Sequence, residues 1–305
     1  MFRDILYGIC NFQIKQIEKK QQDLTLDTEK VILTRNQPYQ ENYSPYHLYD
    51  VYQPRAVADP FQLPLIISIH GGAFITGDKK YHRYFSGFIA SHNYQIASIN
   101  FRPVSEDTNL KDQIQDIFTA INDVVKLFKG FSRLYIVGES SGALLATLVC
   151  SIWNNQKLQK KFHVSIPNCK VSGLALIACP YSNQLFPKFL SSLNNKNNKM
   201  LFTRCSELKN VLDVQKIWNS NMPPVFMVNY DKDLFYKRQL DFESFLKKKK
   251  YAFRSLHITQ KNSNIKLFHT FNIIRPDYEV SEKINLAMLT YFDEIAHFKN
   301  RKKHK

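Results

Sequence analysis

Leu134-Tyr135-Ile136-Val137-Gly138-Glu139-Ser140-Ser141-Gly142-Ala143-Leu144-Leu145-Ala146-Thr147-Leu148 is the stretch whose reading decides the fold. Its first four residues form a short run of large and β-branched side chains, as a buried strand requires, and the apolar segment from Ala143 to Trp153 continues at helical spacing. Between them stands Gly-x-Ser-x-Gly. In that strand-to-helix setting the two glycines let the chain turn sharply enough to lift the oxygen of Ser140 above a sheet. In any other setting the same five residues would be a Gly-Ser turn joining two elements.

Outward from this stretch the pattern repeats. LPLIISIHGG (63–72), YQIASINF (94–101), SRLYIVGES (132–140), VSGLALIA (171–178) and PVFMVNY (224–230) read as buried strands bounded by turn residues. Between them, Ile114, Ile117, Phe118, Ile121, Val124, Val125 and Phe128 make one apolar stripe at helical spacing, and 238–246 and 282–298 behave alike. The alternation predicts an α/β chain with a mostly parallel central sheet and helices on both faces. Two parts fall outside the rhythm. DLTLDTEKVILT (23–34) and YHLYDVYQP (46–54) look like half-exposed strands that start the sheet antiparallel, and 181–222, rich in Asn, Ser and Lys, interrupts the alternation. Ligands of such sheets bind beyond the carboxyl ends of the strands, where an insertion can wall a pocket. The expected organisation is one domain over 1–305, with a cap-like segment over 1–45 and a cap insertion over 181–222.

Composition bounds the rest. A chain of 305 residues with 44% hydrophobic and 13% aromatic content is globular rather than disordered. No run approaches the roughly 18 to 20 apolar residues of a membrane span, and MFRDILYGICNFQIKQ is too weakly apolar for a secretory signal, so the expected location is cytoplasmic. Cys10, Cys150, Cys169, Cys179 and Cys205 are odd in number and lack CxxC spacing, which suits reduced thiols rather than disulfides or a metal site. Five of the nine glycines, Gly71, Gly72, Gly77, Gly138 and Gly142, crowd into two loops.

Those loops could carry chemistry. A serine hydroxyl at neutral pH needs a base, a group that orients the base, and donors for a developing oxyanion. His70-Gly71-Gly72-Ala73 ends a strand, and glycines there let backbone N–H groups approach a substrate. The expected oxyanion hole is the N–H groups of Gly71, Gly72 and Ser141.

Taken together, the motifs resemble those of the hormone-sensitive-lipase-like esterases of the α/β-hydrolase superfamily and of the neighbouring small esterases that include arylformamidases. HGGAF (70–74) is similar to the HGG loop, Gly77-Asp78-Lys79 to a GDK after it, and Phe101-Arg102 with Glu106 to a YRxxxE after the next strand. GESSG (138–142) is similar to the nucleophile elbow, and Asp116 stands where the preceding helix usually carries an aspartate. Departures are HGGA for HGGG, GES-S for GDS-A, and Asn229-Tyr230 where small residues are usual. The resemblance covers roughly 45–180 and 222–295 and implies an α/β-hydrolase fold with a Ser-Asp-His triad.

It also implies where the triad lies. A Pro-Pro pair precedes the acid by about nine residues in the family, and nine past Pro224 is Asp233, with Asp231 as competitor at the end of the apolar run. Lys266-Leu267-Phe268-His269-Thr270-Phe271 resembles the family's His-x-Phe, which implies His269 as base, whereas His257 inside a strand-like segment reads as structural. The implied activity is hydrolysis of short- to medium-chain or small aryl carboxylic esters through an acyl-enzyme on Ser140, without organic cofactor or metal. Arylformamidase activity and a non-catalytic binding role on the same fold are the alternatives.

The net charge of +16 adds little to this chemistry. Lys247, Lys248, Lys249 and Lys250, and the tail from Lys299 to Lys305, follow helix-like segments, where cations complement the helix dipole. They read first as solvated helix ends, with weak peripheral association with anionic membranes as the alternative; no nucleic-acid motif accompanies them. Phe2, Ile5, Leu6, Ile9 and Phe12 could stripe an amino-terminal helix that packs on the insertion.

Overall fold

The structure, a computed structural model, describes residues 2–41, 44–59, 62–182, 191–208 and 210–301. The basic residues at 302–305, the 183–190 part of the insertion and the side chains of Phe2, Ile5, Leu6, Ile9 and Cys10 lie outside the described residues.

Eight strands form one sheet: β1 (Val31–Pro38), β2 (Leu48–Pro54), β3 (Leu65–Ile69), β4 (Gln95–Ile99), β5 (Leu134–Glu139), β6 (Val171–Ile177), β7 (Val225–Tyr230) and β8 (Phe253–Ile258). Their order is β1-β2-β4-β3-β5-β6-β7-β8. The β1/β2 and β2/β4 pairs are antiparallel and all others parallel, so the expected antiparallel start is present. β1 begins at Val31 rather than near Asp23, because the Asp27 carboxylate accepts the N–H groups of Glu29 and Lys30 and closes a turn there.

Alternate residues along the central strands face opposite cores. Ile67, Ile69, Ile136, Leu174 and Met227 point to one, and Ile66, Tyr135, Val137, Ala175 and Phe226 to the other. Three helices close the second core: α2 (Arg83–Ala90), α9 (Phe271–Ile274) and α10 (Glu279–Arg301). α3 (Leu110–Leu127), α4 (Ser141–Trp153), α5 (Gln156–Phe162) and α8 (Tyr236–Lys249) lie over the first. Asn109 and Asp112 fix the start of α3 as a reciprocal capping box. α4 is buried along its whole length, which explains its lack of a polar face.

The insertion packs on the first core through Leu201, Phe202, Leu208, Leu212, Val214 and Trp218, from α6 (Ser191–Leu201), α7 (Val214–Ile217) and their connection. Asn109 Nδ2 donates to the Thr203 carbonyl and Arg204 to that of Asp107, so it meets the loop that follows β4 at its carboxyl end. The amino-terminal helix α1 (Phe2–Gln21) carries the stripe expected to face the insertion on Phe2, Ile5, Leu6 and Ile9, whose side chains lie outside the described residues. At its carboxyl end Gln21 Nε2 donates to the carbonyls of Tyr81 and Ile274, and Lys20 Nζ lies 4.3 Å from the centre of the Phe268 ring. Those contacts are with the turn before α2, with α9 and with the segment before His269. Both carbonyls belong to buried residues and need a donor, which Gln21 supplies.

Candidate active site

β5 delivers Ser140 to the top of the sheet at φ 53° and ψ −124°, a conformation costing on the order of 1–3 kcal/mol. The surroundings hold it there. The N–H of Ser140 donates to the Ile177 carbonyl at 2.9 Å, and the Ala143 N–H donates to the Ser140 carbonyl at 3.0 Å. A Cβ at position 142 would collide with the carbonyl oxygens of Ile69 and His70, so only glycine lets α4 begin so close to β3.

His269 Nε2 lies 2.9 Å from Ser140 Oγ, and its Nδ1 lies 2.7 Å from Asp233 Oδ2. The three side chains come from the elbow after β5, the loop after β7 and the loop after β8. Asp233 is nearly inaccessible at its side chain, 1% exposed, and its second oxygen accepts the Phe235 N–H at 2.8 Å. Burial of the His269 ring disfavours its charge, but the hydrogen bond and charge of Asp233, with a contribution from Glu139, raise it above the ordinary 6.5.

The His269 loop is held by a glutamine. Gln260 Nε2 donates to the Ile265 carbonyl, its Oε1 accepts the Leu267 N–H, and its own N–H donates to Asp231 Oδ1 at 2.9 Å. Asp231 therefore anchors the loop, while its neighbour Asp233 meets the imidazole. The Tyr230 hydroxyl lies 2.7 Å from Gln260 Oε1 and 3.3 Å from the Leu267 carbonyl, which gives the large residue at that strand end a structural task. His257 sits on β8 with Nε2 2.7 Å from Glu243 Oε2, away from the triad, as its strand position suggested.

The loop after β3 turns through three consecutive positive φ angles, Gly72 at 116°, Ala73 at 54° and Phe74 at 70°. Gly71, an expected oxyanion donor, has its N–H engaged. Its N–H donates to Glu139 Oε1 at 2.6 Å, because that buried carboxylate needs donors and lies directly beneath it. Among the described residues nothing accepts the N–H groups of Gly72 and Ala73, and that of Ser141 opens α4 with no intrahelical partner. Ala73 carries no sequence signal here, because its open group is a backbone N–H in a conformation alanine rarely adopts.

The remaining motif residues form the frame. Lys79 is buried, with Nζ 2.9 Å from Asp50 and 2.7 Å from Asn36 Oδ1, and so ties its loop to β1 and β2. Arg102 grips Asp116 with two bonds of 2.7 Å. His70 stacks on Phe101 with ring centres 4.4 Å apart and donates from Nδ1 to the Gly71 carbonyl; burial pushes it down to about 4, so the ring is neutral. Cys150, Cys169, Cys179 and Cys205 are free thiols. Among the described residues no cluster of His, Cys, Asp or Glu could hold a metal ion.

A cleft of about 530 Å3 opens beside His269 and Asp233, with Leu234, Ile265, Leu267 and Phe268 in its lining and Lys232 and Lys266 at its edge. Leu234 and Ile265 are exposed apolar side chains, at 57% and 38%.

A strained serine after a parallel strand, a histidine bridging it to a buried aspartate, and unfilled N–H groups on the neighbouring loop define the site of an α/β-hydrolase. The BD-FAE family profile covers residues 49–235, and the chain belongs to that family. Two curated proteins of Arabidopsis thaliana align locally: "Probable carboxylesterase 3" is 30% identical over 92 residues, 27% of this chain and 29% of the relative. "Probable carboxylesterase 2" is 26% identical over 103 residues, 30% and 32% of the two chains. The match thus spans under a third of each relative's length. Over the whole chain the fold is similar to that of esterase B from Lactobacillus rhamnosis in its tributyrin-phosphonate-inhibited form, with a TM-score of 0.92 and 22% identity over 99% of this chain and 98% of that one. The hyperthermophilic esterase of the archaeon Pyrobaculum calidifontis superposes with a TM-score of 0.68 at 15% identity, covering 97% and 94%.

Proposed function

We propose that the protein is a serine carboxylic ester hydrolase that works through an acyl-enzyme on Ser140. The observation that carries this reading is the continuous relay in which His269 lies 2.9 Å from Ser140 Oγ and 2.7 Å from Asp233. His269 removes the hydroxyl proton as Oγ attacks the ester carbonyl, and Asp233 holds the Nδ1–H tautomer and stabilises the imidazolium. The N–H groups of Gly72, Ala73 and Ser141 receive the oxyanion, with Gly71 withdrawn from that role by its bond to Glu139. The imidazolium then protonates the leaving alcohol, and water deacylates the enzyme with the same groups in reverse.

The apolar side chains lining the cleft beside His269 favour short- to medium-chain acyl or small aryl esters. Within the superfamily the HGG loop and the buried Lys79 favour the hormone-sensitive-lipase-like group. A purely binding role has no need of a strained, fully connected serine. The basic runs stand apart from the chemistry: Lys247 pairs with Glu243, and Lys250 caps α8 in a left-handed conformation. Weak peripheral binding of anionic membranes by these lysines is tested by sedimentation with phosphatidylserine liposomes. Among the described residues no helix is long and apolar enough to cross a membrane.

The test of the reading is covalent. A fluorophosphonate should label the native chain and leave Ser140→Ala unlabelled, and that variant should lose p-nitrophenyl butyrate hydrolysis by about 10⁴ or more. Ser140→Ala with native activity would overturn the assignment.

A further inference from the structure

Two ionisable side chains behind the elbow take no part in the relay. Glu139 ends β5 immediately before the nucleophile, with its side chain 12% exposed, and His82 is wholly buried at the entrance to α2. Glu139 Oε1 accepts the Gly71 N–H at 2.6 Å and lies 3.6 Å from His82 Nε2. At that distance the contact is too long for a hydrogen bond. The other nitrogen, Nδ1, meets Ser68 Oγ at 2.7 Å on β3. Among the described residues Nε2 has no hydrogen-bond partner, so the carboxylate is the group it faces. A proton on Nε2 avoids lone-pair repulsion with Glu139, and Ser68 accommodates either state of Nδ1 by donating or accepting.

We propose that Glu139 and His82 are positioning residues that fasten the loop bearing the oxyanion donors to the elbow bearing Ser140. This rests on the acyl-transfer reading and adds to it. The loop and the elbow are in direct contact at Gly71, where a Cβ would come within 2.9 Å of both the Glu139 carbonyl oxygen and Ser140 Cβ. The next three residues hold positive φ angles, so the donors are aimed only while something outside the loop restrains it. A carboxylate accepting an N–H is a stronger restraint than a neutral acceptor. A carboxylate so buried needs a compensating group, and His82 supplies it. Around the pair stand His70 and Asp78 on the loop side and His269 with its Asp233 on the other. Burial works against the charge of Glu139, yet His82, His269 and the Gly71 N–H together hold it below the usual carboxylate range. The same negative charge favours the protonated form of His269.

The experiment compares the full-length native chain with Glu139→Ala, Glu139→Gln and His82→Phe. Fluorophosphonate labelling, unfolding midpoint and the pH profile of p-nitrophenyl butyrate hydrolysis are recorded for each. Glu139→Ala should lower kcat by about 10²-fold with KM within about threefold, the pattern of lost oxyanion positioning. Glu139→Gln keeps an acceptor for Gly71, so it should recover most of the lost kcat, while the acid limb of its kcat/KM profile moves to lower pH. His82→Phe should lower kcat about tenfold in the native background and have no further effect in Glu139→Gln, since both act through one carboxylate. The glutamine variant decides if the alanine one fails to fold. An unmoved acid limb, or a glutamine variant as impaired as alanine, overturns the positioning role alone. A native chain that neither hydrolyses esters nor takes the label overturns the acyl-transfer reading and this one with it.

Discussion

The carboxylate of Asp233 meets His269 at 2.7 Å, while that of Asp231, two residues earlier, turns away to accept the Gln260 N–H at 2.9 Å. Both aspartates follow β7, and what separates them is the turn closed by the Asp233 N–H on the Tyr230 carbonyl. Asp233→Asn should lower kcat for p-nitrophenyl butyrate by about 10³ to 10⁴, through loss of the correct tautomer. Asp231→Asn should leave kcat within about fivefold and destabilise the chain by about 1 kcal/mol, measured by urea unfolding. The reverse ranking would move the acid to Asp231.

The pH profile should carry the signature of His269. The base works only when neutral, and its environment raises it above the ordinary 6.5, so the acid limb of kcat/KM should lie above that value. The sign follows from the causes: burial disfavours the charged ring, and the hydrogen bond and charge of Asp233 together with the charge of Glu139 outweigh it. Activity should therefore fall as pH drops through the raised value, and an acid limb below 6.5 would contradict the geometry.

At the elbow, Gly142→Ala should be among the most damaging single-methyl additions in the chain. The added Cβ meets two backbone carbonyl oxygens of β3 and its loop, which cannot swing aside as a side-chain tip would. The expected cost is about 3 kcal/mol or more, with loss of labelling by a fluorophosphonate because Ser140 is displaced. Gly8, with open space around it, is the control position and should tolerate alanine.

The strands and helices around Ser140 were legible because they are buried, apolar and regular. Five strands and four helices read from periodicity alone reappear with boundaries shifted by a few residues. The proximity of Ser140, Asp233 and His269 was legible because these residues follow strand ends at family spacing. What stayed hidden was carried by the backbone or by distant partners. The bond from Gly71 to Glu139 depends on how closely β3 and β5 approach, and the N–H of Ala73 becomes a donor only through a positive φ that its side chain does not favour. The contact of α1 with Tyr81 and Ile274 runs through Gln21, a polar residue that no apolar stripe would single out. His82 offered no motif meaning either, since its partners Ser68 and Glu139 lie 14 and 57 positions away in sequence.

The Arg102–Asp116 pair offers a test of scaffold against chemistry. Both residues belong to motifs that accompany the triad, yet they touch none of its members. Asp116 is 1% exposed and accepts the two side-chain bonds of Arg102 and the Arg102 N–H at 3.0 Å, with His47 Nε2 beside it at 3.5 Å. Arg102 is 35% exposed, so the arginine side of the pair is partly solvated. Arg102→Leu strands a buried carboxylate and should cost about 3 kcal/mol, the lower end for a broken buried pair because solvent reaches the site. Adding Asp116→Leu removes the stranded charge, so the double variant should be more stable than the single one, with the urea midpoint as readout. Fluorophosphonate labelling of the folded double variant should stay within about fivefold of native, since the pair supports the loop after β4 without contacting Ser140, Asp233 or His269. A double variant less stable than Arg102→Leu would show that Asp116 serves the fold through its bond to the backbone at position 102 rather than as the side-chain partner of Arg102.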